Sequence, residues 1–272
     1  MITIDTVNRA GARRPTVRTG RPSAWVTQLT FIGRSLRHSI RDPEALIMAV
    51  VLPVLLMLLF TYVFGGALQS DGNYVNYVVP GVILLCAGFG AATTAVAVTQ
   101  DLTNGVINRF RTMPLHAQMV IGGHVVASLA RNLVATGCVV AIALLIGFRP
   151  TAGLVEWLGA IGMIALYILA ITALFAALGI LARSTSAANN YGFAITFVPY
   201  LSSAFVPVDT MPGWLQWFAE NQPITPIIET VRSLLMGTPM GNSGWLALGW
   251  CLLILVASAV WGSWLFPRRR TS

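Results

Sequence analysis

The sequence predicts an all-α, polytopic integral membrane protein with six transmembrane helices, an N-terminal amphipathic interfacial helix and an external re-entrant helical hairpin. Three observations predict it. Of the 272 residues, 56% are hydrophobic and only 10% charged, whereas a soluble domain carries about 25% charge. Six apolar segments follow one another, each near the ~20 residues that a helix needs to cross the hydrocarbon. The arginines between them alternate, crowding every second connection.

Residues 1–22 are polar, arginine-rich and without periodicity, which is the pattern of a disordered cytoplasmic tail. The first apolar run starts too late and is too long for a signal peptide. Over 23–43, Trp25, Leu29, Ile32, Leu36 and Ile40 make one helical stripe, with Arg34, Arg37 and Arg41 opposite. That helix suits the membrane interface; the alternative is a soluble helix packed on a partner.

The transmembrane domain spans 44–267. Its segments are 45–65, with Pro53 as an expected kink, then 77–98, 119–147, 157–181, 187–206, with Pro199 inside it, and 245–266. With the N-terminus inside, fourteen of the seventeen arginines are cytoplasmic: eight before the first span, then Arg109, Arg111, Arg183, Arg268, Arg269 and Arg270. Only Arg149 and Arg232 fall outside, and Arg131 lies within a span. This asymmetry puts both termini in the cytoplasm, with 268–272 as a second short tail.

Net charge is +8, yet lysine is absent. A Walker A loop needs a lysine on the nucleotide phosphates, so ATP-driven work requires another chain to bind the ATP. The apolar background assigns the basic balance to an anionic membrane surface rather than to nucleic acid. Cys86, Cys138 and Cys251 lie in apolar runs and read as packing residues. His38, His116 and His124 are scattered, without metal-ligand spacing. No nucleophile–base pair or intramembrane carboxylate pair appears, so the chain reads as a non-enzyme. Arg131 is the one charge well inside a span, which makes it a functional candidate; the alternatives are snorkelling or structural pairing. Asn189 and Asn190 open the fifth span, as interhelical hydrogen-bonders or caps. Gly88, Gly90, Ala91 and Ala92 permit close helix approach, within the chain or between copies.

Two connections are more than turns. The cytoplasmic one contains TQDLTNGVINRFRTMPLHAQ, with Asp101 and Thr103 as candidate caps and Pro114 ending a short helix over about 101–113. Its apolar Val106, Ile107 and Phe110 call for a partner or for this protein's own spans. The external connection, 207–244, holds Met211, Pro212, Trp214, Trp217, Phe218 and Pro223. Its tryptophans suit the headgroup level, and broken helices at membrane depth need protein cover. Glu229 and Arg232, three apart, are placed to pair.

The segment DLTNGVINRFRTMPL resembles the coupling-helix segment of permeases in type-2 ABC exporters, and within them the daunorubicin-resistance (DrrB-like) membrane subunits. The matching residues are Asp101, Gly105, Val106, Arg109, Phe110, Arg111, Met113 and Pro114. IGFRP at 146–150 and FVPVDTMPGWLQWFAENQPIT at 205–225 resemble the same family, and the resemblance covers about 25–237. It implies a pair of permeases, either two copies of this chain or this chain with a similar one. It also implies two cytoplasmic ATPase subunits, which hold the ATP and magnesium. The coupling residues would dock in a cleft of the ATPase, and the external hairpin would dip into the outer leaflet and close the exit. No cofactor is expected on this chain itself. The expected cargo is an amphipathic drug, antibiotic or lipid. The alternatives are a polysaccharide or lipid-linked glycan, favoured by an aromatic-lined path, and, in another class, ion-coupled secondary transport. Every acidic residue lies at a span end or in a loop, which argues against ion coupling.

Overall fold

The computed structural model describes residues 43–65, 74–104 and 118–268. The expected N-terminal tail and interfacial helix therefore lie outside the described residues. So do Gly105, Val106, Arg109, Phe110, Arg111, Met113 and Pro114. Among the described residues the fold is helical throughout. The helices are α1 (Pro43–Leu58), α2 (Tyr74–Thr103), α3 (Gln118–Ile146), α4 (Leu154–Leu181), α5 (Thr185–Thr196), α6 (Gly213–Asn221), α7 (Ile224–Met236) and α8 (Ser243–Arg268). Residues 105–117 join α2 to α3 at what is here called the proximal end of the bundle; the opposite end is distal.

Four stretches are long and apolar enough to cross a membrane: Tyr74–Thr103, Gly122–Ile146, Leu154–Leu181 and Ser243–Phe266. Six were expected, and the other two differ in kind. The first is α1, which continues into a π-helical turn over Leu59–Phe64. Such turns are rare and tend to mark functional sites. The second is α5, where the expected span 187–206 is not one helix. It stops at Thr196, and a 3₁₀ turn follows over Val198–Leu201. Pro199 is the physical cause: it has no N–H to donate, and its ring clashes with the carbonyl four residues back. Ser184 caps α5 by accepting from the Ala187 N–H at 3.2 Å. Asn189 and Asn190 are exposed on α5 and lie five and six residues past that cap, inside the helix, so they do not cap its start.

α2 is the axis. It packs against α1, α3, α4, α5 and α7, and 72% of its most apolar stretch is buried. Small residues make this possible. A Cβ at Gly81 would sit 2.7 Å from the Ala204 Cα, and one at Gly179 on α4 would sit 2.5 Å from the Ala95 carbonyl oxygen. Thr99 Oγ1 donates to the Gly179 carbonyl at 2.8 Å across this tight crossing. Gly88 faces Thr196, Ala92 faces Gly192 of α5, and Gly90 faces Asn132 of α3. The small-residue stripe of α2 therefore serves packing within the protomer. α3 and α8 are peripheral, with only 28% and 22% of their apolar stretches buried. Their exposed Val134, Leu145, Leu252, Leu253, Val256 and Val260 are side chains that a lipid solvent accepts.

Candidate functional site

Breaking the helix after α5 leaves the Ser203 carbonyl in irregular backbone, and Arg232 gathers it together with the Tyr77 carbonyl of the first turn of α2. It stands on α7, whose Ile224, Ile227, Ile228, Val231 and Leu235 are buried at helical spacing. Gly237 ends that helix in the left-handed region, at φ 66°. The guanidinium donates to the Ser203 carbonyl at 2.7 Å and, through two nitrogens, to the Tyr77 carbonyl at 3.2 and 3.3 Å. It also pairs with Glu229 at 2.7 Å and lies 3.9 Å from the centre of the Tyr77 ring. One side chain thus ties α7, α2 and the broken segment together. Neighbouring bonds extend the knot. Tyr74 Oη donates to the Phe205 carbonyl at 2.7 Å, and Gln222 Nε2 to the Leu201 carbonyl at 2.6 Å. The Arg149 N–H donates to Asn76 Oδ1 at 2.9 Å, and the Thr151 N–H to the Leu235 carbonyl at 3.0 Å. The expected Glu229–Arg232 pair forms, but the carbonyl contacts outnumber it. Sequence spacing reveals a pair on one helix and is blind to carbonyls freed elsewhere.

Two short helices, α6 and α7, occupy the region expected to form the external hairpin. On α6, Trp214, Trp217 and Phe218 share one exposed face while Ala219 is buried. Met211 is half-buried before α6, Pro212 accepts from the Leu215 and Gln216 N–H groups, and Pro223 is half-buried just before α7.

An unbroken chain of rings runs from the π turn into α5. Phe64 meets Phe60 at 5.4 Å, and Phe60 stacks on Phe205 at 4.1 Å. Phe205 meets Tyr200 at 5.4 Å, Tyr200 meets Phe197 at 5.4 Å, and Phe197 meets Phe193 edge-on at 4.7 Å. Apart from the closer Phe60–Phe205 stack, these separations lie in the favourable range for aromatic pairs. Its two ends are open: Phe193 is 63% exposed and Phe64 43%. Sequence analysis did not single this chain out. The spacing of Phe193, Phe197 and Tyr200 was a readable stripe, whereas Phe60 and Phe205 join only through the fold.

At the proximal end, α2 and α3 are joined by polar side chains. Asp101 Oδ2 and His124 Nε2 are 2.9 Å apart. Thr94 Oγ1 donates to Ser128 Oγ at 2.8 Å, Arg131 Nη2 to Thr93 Oγ1 at 2.8 Å, and Asn132 Nδ2 to Ser128 Oγ at 3.4 Å. Arg131 is therefore paired across the helix interface, one of the alternatives the sequence left open. His124, which had no role by spacing, meets the first residue of the expected coupling segment. Asp101 and Thr103 cap no helix start. They form the last turn of α2, where Thr103 Oγ1 donates to the Thr99 carbonyl at 3.0 Å.

Comparison with known proteins now bears on these features. Residues 29–236 match the ABC-2 type transporter family. The daunorubicin resistance ABC transporter permease protein DrrB1 of Streptomyces coeruleorubidus is 30% identical over 223 residues, covering 81% of this chain and 79% of that one. The probable doxorubicin resistance ABC transporter permease protein DrrC of Mycobacterium tuberculosis is 27% identical over 229 residues, 84% and 83% of the two chains. Nodulation protein J of Rhizobium meliloti is 28% identical over 204 residues, 67% and 73% of the two chains. The family match runs through α1 to α7, the elements that build the distal knot, the ring chain and the proximal seam. The chain is thus a multi-pass membrane protein of the ABC-2 type transporter family, a transporter permease whose membership implies an ATP-binding subunit as partner.

Proposed function

We propose that this chain moves an amphipathic drug, antibiotic or lipid out across the cytoplasmic membrane, using ATP hydrolysed by a separate subunit. What supports the reading most is the similarity to two drug-resistance permeases. The ring chain from Phe64 to Phe193 is uncharged and exposed at both ends, which is compatible with a planar amphipathic molecule. The proximal end is cytoplasmic in this reading, by the arginine asymmetry, and both termini lie on that side. Two permeases and two ATPase subunits complete the transporter, with ATP and magnesium held by the ATPase. The α6–α7 pair is the external gate, with Trp214 and Trp217 at the headgroups.

A second reading has a specific observation behind it. Rings also stack on sugars, so the same chain suits a polysaccharide or lipid-linked glycan. Replacing Phe197 and Tyr200 together by Ala separates the cases. On the drug reading, doxorubicin-stimulated ATP hydrolysis by the purified complex falls at least tenfold, equivalent to about 1.4 kcal/mol of lost contact and modest for two rings. Wild-type protein that ignores doxorubicin and responds to a lipid-linked oligosaccharide would transfer the assignment to glycan.

Coupling is tested apart from cargo. Phe110 and Arg111 are proposed to dock in the ATPase cleft, helped by Asp101, Gly105, Val106, Arg109, Met113 and Pro114. Affinity purification in mild detergent is expected to bring down a stoichiometric P-loop ATPase, and F110A/R111A to lose it while still eluting as folded protein. Copurification unchanged by that variant would move docking elsewhere on the chain.

A further inference from the structure

We propose that α2 and α3 travel as one rigid lever during transport, clamped by the polar seam beside the 105–117 connection, with Asp101, Thr94, His124 and Ser128 as positioning residues. This rests on the ATP-driven reading above and adds to it which parts do not move against each other. The seam has regular rungs. His124 and Ser128 are four apart on α3, and their partners Asp101 and Thr94 are seven apart on the facing side of α2, while Asn132 supports Ser128 from within α3. With the Arg131–Thr93 contact included, the rungs extend along α3 over about 10 Å, at 1.5 Å per residue. All of them lie in the half nearest the connection. Farther on, the buried residues of α3 are Ala135, Thr136, Val139 and Ala143, which are mostly small and apolar.

The consequence follows from burial. Thr94 is 1% exposed and Ser128 2%, so water cannot replace the partner that either loses by sliding. Intramembrane polar groups are held where a partner meets them, and a slip of one residue would separate every rung at once. Arg131 adds a charged donor to the same interface through Thr93. A push delivered to residues 105–117 therefore cannot be absorbed by shear between the helices that flank them. It passes along α2 to the elements that pack on it: α5 and, at the distal end, α7.

The test uses the Thr94–Ser128 rung, because hydroxyls 2.8 Å apart become sulfurs that bond at about 2.05 Å when both residues are Cys. T94C/S128C is made in a C86A/C138A/C251A background and assembled with the ATP-binding subunit in inverted membrane vesicles. ATP hydrolysis and doxorubicin uptake are read before and after oxidation, and again after reduction. The lever predicts ready cross-linking and no loss of uptake per ATP in the bonded form. A companion variant, T94V/S128A, keeps shape but removes the rung, and its uptake per ATP is expected to fall. Uptake lost on oxidation and restored by reduction would overturn the proposal, as would failure of the cysteines to cross-link. Uptake by the reduced protein reports on the transport reading separately, since it needs no bond.

Discussion

R232A is expected to lower stability by about 3 kcal/mol, the scale of removing one partner from a buried charged network. The reason lies in what stays behind. The Ser203 carbonyl loses its donor in a segment where the broken helix offers no replacement, and the Tyr77 carbonyl in the first turn of α2 loses its bonds from the same guanidinium. Each hydrogen bond to a charged group counts for about 1.5–3 kcal/mol, and the contact with the Tyr77 ring adds about 0.5–1 kcal/mol. Glu229 contributes least: its side chain is 39% exposed, against 12% for Arg232, so E229Q is expected to cost under about 1 kcal/mol. R232K falls between, because an ammonium cannot reproduce the fork that spans two carbonyls. Unfolding of the detergent-purified variants, followed by tryptophan fluorescence, gives the order R232A, R232K, E229Q. If E229Q proved as damaging as R232A, the weight would rest on the ion pair and the carbonyl argument would be wrong.

This knot also shows where sequence reading stops. Periodicity and hydropathy placed the four long spans to within a few residues, because a bilayer rewards apolar length regardless of partners. The same logic overextended the fifth span. Its composition stays apolar through 206, but Pro199 ends regular hydrogen bonding, and the chain continues as irregular backbone covered by α2 and α7. The Glu229–Arg232 pair was legible because both ends sit on one helix. Ser203 and Tyr77 were not, since their carbonyls carry no sequence signature. His124 was passed over for the same reason: its partner Asp101 lies across a connection and is only brought close when α2 and α3 fold side by side. The coupling role proposed for Phe110 and Arg111 rests on resemblance to a family, and composition contributed only the absence of lysine.

Glycine substitutions separate packing that the fold requires from glycine that it merely tolerates. At Gly81 a methyl would meet the Ala204 Cα, Cβ and carbonyl oxygen at 2.7 to 2.8 Å. At Gly179 it would meet the Ala95 carbonyl at 2.5 Å and the Ala95 Cα at 3.0 Å. Both obstacles include backbone, which cannot rotate aside, so G81A and G179A are each expected to cost about 3 kcal/mol, the upper part of the overpacking range. G179A also displaces the carbonyl that accepts from Thr99. G90A meets the Asn132 side chain instead. A rotamer change can relieve that contact, but it breaks the bond to Ser128, so a smaller loss is expected, about 1 kcal/mol. Gly137 has no atom within 4 Å of the added methyl, and G137A should stabilise by about 0.5–1 kcal/mol through helix propensity alone. Thermal unfolding of the four variants in detergent checks the order, and the sign at Gly137 is the sharpest part of it. If G137A were as harmful as G81A, these glycines would matter for helix flexibility, and the close approach of α2 to the broken segment would not be what holds the distal end together.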